Sequence, residues 1–418
     1  MEDFERLSAA AKEKGLKIIM DFVPNHSSEQ HEWFLKSEAR EEPYQDYYIW
    51  RDRNESNPGG LPNNWLSVFR GPAWEWSERR GQFYYHAFTK EQPDLNYRNP
   101  AIRQEMLHTL LFWMDKGVEG FRMDAVPFLF EDPEFRDEPL SGKTDDPEDY
   151  NYLSHIYTWN FPEVIPVLAE FTSIVHAITS EQGLVMVEAL SEDLTTQDMM
   201  SFYNCSDFPF NFNLIVKLKA DQLSGETLHQ EVGDWLDNIP AGKTPNWVLG
   251  NHDNWRLGSR FGPGNIDGFN MVSLLLPGVA VTYNGEEIGM VNTEVSWEDT
   301  VDPAGLNCGE DHFMEDGCSR DPERTPMQWD SSAQAGFTTS SQPWLPVNQN
   351  YREGVNVREQ REERDSHLGV YKQLVELRDS LRHATTSLYS TQEVFSFIRL
   401  TDTAGYICVI NVSPDIAR

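Results

Sequence analysis

Four short stretches set carboxylate, guanidinium and imidazole groups at the ends of apolar runs. They are Asp21-Phe-Val-Pro-Asn25-His26, Gly120-Phe-Arg122-Met-Asp124, Val185-Met-Val-Glu188 and Asn251-His252-Asp253. Cleaving a glycosidic bond needs two carboxyl groups flanking it, about 5–5.5 Å apart when the configuration is retained. One attacks the sugar carbon; the other delivers a proton and then removes one. Asp124 and Glu188 end successive expected strands, so that separation is within reach. Arg122 precedes Asp124 by two residues on the same strand face, where its charge would keep the attacking group ionised. Glu188 follows an apolar triplet, a setting that would raise its pKa towards that of an acid catalyst. Asp253 adds a third carboxylate able to bind sugar hydroxyls, and His26 and His252 add donors. Taken singly, each such Asp or Glu reads as a helix cap; four such ends in one chain carry the weight.

The elements that must position these groups alternate. A helix over residues 3–14 precedes the run LKIIMDFV, which reads as a buried strand. Helices expected at 101–116 and 162–181 each precede a strand, VEGFRMDAV and LVMVEAL. SDFPFNFNL, TPNWVLGNHD and GVAVTYNGEE are further strand candidates, with helices at 225–238 and 266–276. Such alternation predicts a parallel sheet with right-handed crossovers, and six strands with polar ends predict a (β/α)8 barrel whose active site lies at the C-terminal strand ends. Residues 28–100 lack helical periodicity and are far too long for a plain connection, so they read as an inserted loop-rich domain after the third barrel strand. A helix at 365–381 leads to alternating segments, VFSFIRL and YICVINV, which begin a separate β domain. The expected divisions are 1–27 and 101–382 for the barrel, 28–100 for the insertion and 383–418 for the β domain.

Composition narrows the partners. The 34 basic and 68 acidic residues give a net charge of -34, which repels phosphate backbones and anionic lipid and argues against nucleic-acid binding. No apolar run is long enough to span a membrane. The 13 Trp, 15 Tyr and 23 Phe, several clustered at Trp65, Trp74, Trp76, Tyr84 and Tyr85, suit flat sugar faces and ordinary cores equally well. Cys308 and Cys318 sit in one stretch and would close a short disulfide. Asn54, Asn204 and Asn411 head glycosylation sequons.

DFVPNH, GFRMDAV, the Glu188 strand and GNHDN together resemble the four signature regions of the α-amylase family, glycoside hydrolase family 13. QPDLNYRNP, YNGEEIG and SRDPERTPMQWD resemble its α-glucosidase and maltase branch, insect-type members above all. The resemblance implies Asp124 as nucleophile, Glu188 as general acid/base and Asp253 as transition-state stabiliser. It places His26, Arg122, His252 and Arg324 around the cleaved glucose, with Arg320 as a neighbour. Ala125, following the nucleophile, is similar to the α-1,4-cleaving pattern. The branch also implies a structural Ca²⁺ held by Asn25, Asp94 and Glu131 with the carbonyls of Phe128 and Leu129; oxygen-only ligands suit that ion.

Against the family pattern the chain begins at the helix before the third barrel strand, so the barrel is expected to be incomplete at its N-terminus and the β domain truncated. The expected substrate is a small oligosaccharide: an exo-acting, retaining α-glucosidase would release α-1,4-linked glucose from maltose, sucrose or short oligosaccharides. Localisation outside the cell, secreted or surface-anchored, follows from the animal members. The competing reading is a non-catalytic glucosidase-like ectodomain of an amino-acid transporter heavy subunit. The complete set of Asp124, Glu188, Asp253 and Arg122 argues for the enzyme.

Overall fold

The computed structural model describes residues 1–189, 195–310 and 318–413. The chain forms two compact units, Met1–Pro209 and Phe210–Arg418.

In the first unit, helix α1 (Glu2–Glu13) opens with Glu2, Asp3 and Glu5, which complement the positive end of its dipole. Strand β1 (Ile19–Phe22) follows. Residues 28–100 carry helix α2 (Glu32–Glu38), capped by the His31 ring accepting from the Trp33 amide at 3.1 Å, and strands β2 (Trp50–Arg51), β3 (Trp74–Ser77) and β4 (Gln82–Tyr85). These pair antiparallel in the order β2-β4-β3. Their core holds Ile49, Trp65, Trp74, Phe83 and Tyr85. Trp65 stacks on Trp74 at 5.8 Å and on Phe135 at 5.4 Å, and its indole N–H donates to the Arg136 carbonyl. The buried aromatics are therefore structure, and the sugar-platform alternative does not apply to Trp65, Trp74, Tyr84 or Tyr85.

Helix α3 (Pro100–Asp115) starts at an Asn99 cap with proline in the first turn, where no amide hydrogen is needed. It leads to strand β5 (Gly120–Met123). Helix α4 (Val164–Thr179) leads to strand β6 (Leu184–Val187), and strand β7 (Phe208–Pro209) ends the unit. The four strands are parallel in the order β1-β5-β6-β7. Register pairs Asp21 with Arg122 and Arg122 with Met186, which sets the polar strand ends level. Gly120 is needed for close approach, since a Cβ there would lie 2.4 Å from the Leu184 carbonyl oxygen. Phe22, Phe121 and Phe171 pack edge to face at 5.8 and 6.0 Å between sheet and α4.

Two sequence expectations change. β1 is not buried: Ile19 is 39% exposed and only Phe22 is sealed, because the strand lies at the edge of this sheet. SDFPFNFNL contributes only Phe208–Pro209 as strand; Pro209 lacks an amide hydrogen, and residues 213–216 turn into a short helix. The last residue of LVMVEAL, Leu190, lies outside the described residues.

In the second unit, helix α5 (Gly225–Asn238) begins with a capping box between Ser224 and Thr227. Gly225 lets it start against the backbone at Val394, as a Cβ would meet the Val394 carbonyl oxygen at 2.2 Å. Strands β8 (Asn246–Val248) and β9 (Val279–Val281) pair in parallel, and helix α6 (Ile266–Leu275) lies between them in sequence. Helix α7 (His367–Asp379) precedes a meander of β10 (Thr385–Ser390), β11 (Val394–Leu400) and β12 (Gly405–Asn411). Sequence reading anticipated the last two strands and missed β10, whose TTSLYS shows no buried face. Cys308 and Cys318 form a disulfide, with Cα atoms 6.4 Å apart. Among the described residues no helix is long and apolar enough to cross a membrane.

Candidate active site

In the first unit, three strand ends converge on one guanidinium. Register across β1 and β5 places Arg122 beside Asp21, and its Nη1 donates to Asp21 Oδ1 at 3.0 Å. The same nitrogen donates to Asp124 Oδ1, and Nη2 donates to Glu188 Oε2 at 2.5 Å. Asp124 is held level by its amide bonding the Phe22 carbonyl at 2.9 Å, and Glu188 by its amide bonding that of Met123 at 2.9 Å. Arg122 is largely buried. Burial works against its charge, but Glu188, Asp124 and Asp21 together outweigh this and hold it more firmly protonated than usual. Glu188 does rise from an apolar strand, yet its carboxylate lies on a cation, so its setting is not the purely apolar one the sequence suggested. Ala125 takes a left-handed backbone, φ 49°, directing the chain from β5 into the 3-10 turn Val126–Phe128.

His26 lies behind this cluster. Gln92 brings its amide nitrogen to 2.8 Å from His26 Nε2, and Phe88 packs against the ring at 5.2 Å. Burial lowers the imidazole to about 4, with Asp124 opposing, so His26 is neutral at physiological pH. Gln92 was part of the recognised QPDLN stretch, but no role could be assigned to it before the fold brought it to His26.

The second unit gathers its own group around Asp253. Arg320 Nη1 and Arg324 Nη2 both donate to Asp253 Oδ1, at 2.8 and 2.6 Å, and His252 Nε2 stands 3.3 Å from Oδ2. Arg324 also donates from Nε to the His252 carbonyl at 2.6 Å. Burial alone would raise the Asp253 carboxyl; His252, Arg320 and Arg324 overcome it and hold the group below the usual carboxylate range. Arg320 is thus a direct partner. Its far side is gripped by Asp302, fully buried, at 2.6 and 3.0 Å. Sequence reasoning missed Asp302, because VDPAG carries no spacing that ties it to a residue 18 positions away. Tyr283 donates its hydroxyl to the Glu323 carbonyl at 3.0 Å, bracing the segment that presents Arg324.

The residues assigned to a cation also meet in part. Asn25 donates to Asp94 Oδ2 at 2.9 Å, and both are 1% exposed. Glu131 is buried too, with Arg98 Nε 3.8 Å from Oε1. Burial pushes Asp94 well above the ordinary carboxylate range, with Glu131 adding to the effect, and pushes Glu131 to about 7. Two desolvated carboxyls, with the Asn25 side-chain amide turned nitrogen-first onto Asp94, are groups whose charge a hard divalent ion would neutralise. Phe128 closes the 3-10 turn beside Phe88, and Leu129 follows it, buried.

The chain belongs to the α-amylase family: the pattern described as Alpha amylase, catalytic domain, matches residues 1–386. Its fold is accordingly α/β of the TIM-barrel type, and it is a glycoside hydrolase. Maltase 1 of Drosophila virilis is 45% identical, covering 99% of this chain and 67% of its own length. The salivary alpha-glucosidase of Aedes aegypti is 43% identical, covering 98% of this chain and 72% of its own. Among solved structures, the alpha-glucosyl transfer enzyme XgtA superposes with a TM-score of 0.88 at 32% identity, over 99% of this chain and 78% of that one.

Proposed function

We propose that this chain is a retaining, exo-acting α-glucosidase that releases terminal α-linked glucose from maltose and short oligosaccharides, cutting their α-1,4 bonds, and from sucrose. The observation that carries this reading is the single Arg122 guanidinium bonded to both Asp124 and Glu188. A bridge that short favours the close carboxyl pair of a retaining enzyme, about 5–5.5 Å, over the wider pair that leaves room for a water. The maltase and α-glucosidase names of the relatives point the same way.

In this mechanism an Asp124 oxygen attacks the anomeric carbon while the bond to the leaving oxygen breaks. Glu188 gives that oxygen its proton. Glu188, now ionised, takes a proton from water, whose oxygen attacks the same carbon and frees Asp124. Two inversions restore the α configuration. Arg122 holds both carboxylates in register throughout, as positioning rather than proton transfer. Asp253, kept ionised by Arg320, Arg324 and His252, offsets positive charge developing on the sugar ring. His26, His252 and Arg324 donate to the hydroxyls of the glucose being released.

The same reading takes Asn25, Asp94 and Glu131, with the Phe128 and Leu129 carbonyls, as holders of a structural Ca²⁺; such an ion would fix the loops behind His26. It also places the protein outside the cell. The Cys308–Cys318 disulfide suits an oxidising compartment, and Asn54, Asn204 and Asn411 are exposed for glycan attachment. A partner-binding ectodomain without catalysis has no need of the Arg122 bridge or of Arg320 and Arg324 on Asp253.

The test is hydrolysis of maltose followed by proton NMR. The native chain should release glucose first seen as the α anomer. Asp124→Asn, which keeps the shape and removes the attacking charge, should lose roughly 10³-fold or more in kcat. Full activity in that variant, or glucose appearing as the β anomer, overturns the reading.

A further inference from the structure

A cavity of about 550 Å³ opens beside the inserted sheet of the first unit. It lies within the usual size of small-molecule sites, roughly 300–1,000 Å³. Four arginines line it, Arg40, Arg51, Arg80 and Arg98, against the carboxylates of Asp46 and Glu131 only. In a chain of net charge -34 that concentration of cations is against the trend of the whole surface.

The local bonding sharpens the point. Arg40 Nη2 and Arg80 Nε both donate to one oxygen, Gln82 Oε1, at 3.1 and 2.8 Å. Two guanidinium ions therefore share a neutral acceptor rather than a carboxylate. Arg80 is almost fully buried, and its nearest anion is Asp46, 4.0 Å away. Burial first, and then the charge of Arg40, lower its proton affinity to about 10, with Asp46 opposing. Like charges held this close are unfavourable unless something between them is negative. Arg51 completes the wall, its guanidinium carbon 3.4 Å from the centre of the Phe135 ring. Arg40 and Phe135 both hold left-handed backbones, φ 58° and 55°. Strained side-chain-bearing residues of this kind gather at ligand clamps.

We infer that this cavity is an oxyanion site, built of Arg40, Arg51 and Arg80 and sharing no residue with the reaction centre, that takes a phosphate, sulfate or carboxylate group, free or carried on a sugar. Forked guanidinium donors match such groups two bonds at a time. The cavity is larger than a bare tetrahedral ion requires, so a sugar bearing the group also fits.

Isothermal titration calorimetry of the intact chain with inorganic phosphate tests this, with sodium chloride at equal ionic strength as control. Saturating glucose is present throughout to fill the reaction centre. Saturable one-to-one binding is expected with phosphate and not with chloride. The double variant Arg40→Gln, Arg51→Gln should weaken it at least tenfold. Both side chains are exposed, so the variant should melt like the native chain and cleave p-nitrophenyl α-glucoside within twofold of its rate. Glucose 6-phosphate binding tighter than phosphate would assign the sugar-borne group, and equal affinity the free ion. Phosphate heats no different from chloride, or binding unchanged in the double variant, would overturn the inference.

Discussion

Arg122 makes three bonds with two nitrogens, to Asp21, Asp124 and Glu188, and each comes from a different strand. Lysine carries the same charge but a single nitrogen, and cannot span two carboxylates at once. Arg122→Lys should therefore lower kcat by roughly 10²-fold, since misplacement of reacting groups by about an ångström costs that much. Its KM should move far less; steady-state kinetics on maltose separates the two, and a variant that changes only KM would mark Arg122 as a sugar-binding group. Spacing in the sequence was enough to pick out Arg122, because i and i+2 on a strand share a face. It could not reveal that Asp21 joins the bridge, since that depends on the register of β1 against β5. Nor could it distinguish Arg320 from Arg324 as partners of Asp253, as both lie in the same recognisable stretch.

At the level of elements, residues 28–100 owe their fold to aromatic packing rather than to long strands. β2, β3 and β4 are two to four residues each, too short to be stable by pairing alone. Trp65, 1% exposed, forms a three-ring cluster with Trp74 and Phe135, centroids 5.4 to 6.1 Å apart, that holds them together. Trp65→Ala should cost about 3–5 kcal/mol of stability, as for other buried aromatics cut to a methyl group. Thermal unfolding and limited proteolysis within 28–100 would show it; an unchanged melting curve would mean that the sheet stands without this core. The helices that separate the parallel strands were legible within one or two residues, because their caps are written locally: Asn99 before Pro100, and Ser224 before Gly225. Strand lengths were not. The eight-residue run around β1 yields a four-residue strand, and the nine-residue run around β7 only two.

For the molecule as a whole, buried titrating groups set opposite limits on the stable pH range. Glu286, sealed beneath Gly250 and accepting from the Tyr283 amide at 3.0 Å, is raised by burial from 4.5 to about 8, with Arg256 and Arg260 opposing. The folded chain therefore binds a proton there that the unfolded chain has released, and stability falls as pH rises from about 4.5 to about 8. Glu286→Gln keeps the neutral shape, so the melting temperature should decline less across that window than in the native chain. An identical decline in both would mean that Glu286 is ionised in the fold. His26 acts at the acid end: lowered from 6.5 to about 4, it costs stability as pH falls through that interval. Chelation is the third lever. If a hard cation sits on Asn25, Asp94 and Glu131, excess chelator should lower the melting temperature by several degrees and Ca²⁺ should restore it; no response would remove the ion from the proposal.

By itself the sequence picked out the candidate site residues and the order of elements that carry them. Asp124 and Glu188 directly follow β5 and β6 and Arg122 lies on β5, since a period of two, a terminal carboxylate and a following turn are all local properties; Asp253 stands in the turn beyond β8, which ends at Val248. The same holds for the helix boundaries and the class of fold. Only the tertiary structure decided what those residues touch. That one guanidinium serves both Asp124 and Glu188, that Asp302 grips Arg320 from behind, that Gln92 steadies His26 and that Arg40 and Arg80 share one amide oxygen are all contacts between positions far apart or unmarked in the chain. They follow from register and packing, which are set by how whole faces fit together and leave no trace in the spacing of any single stretch.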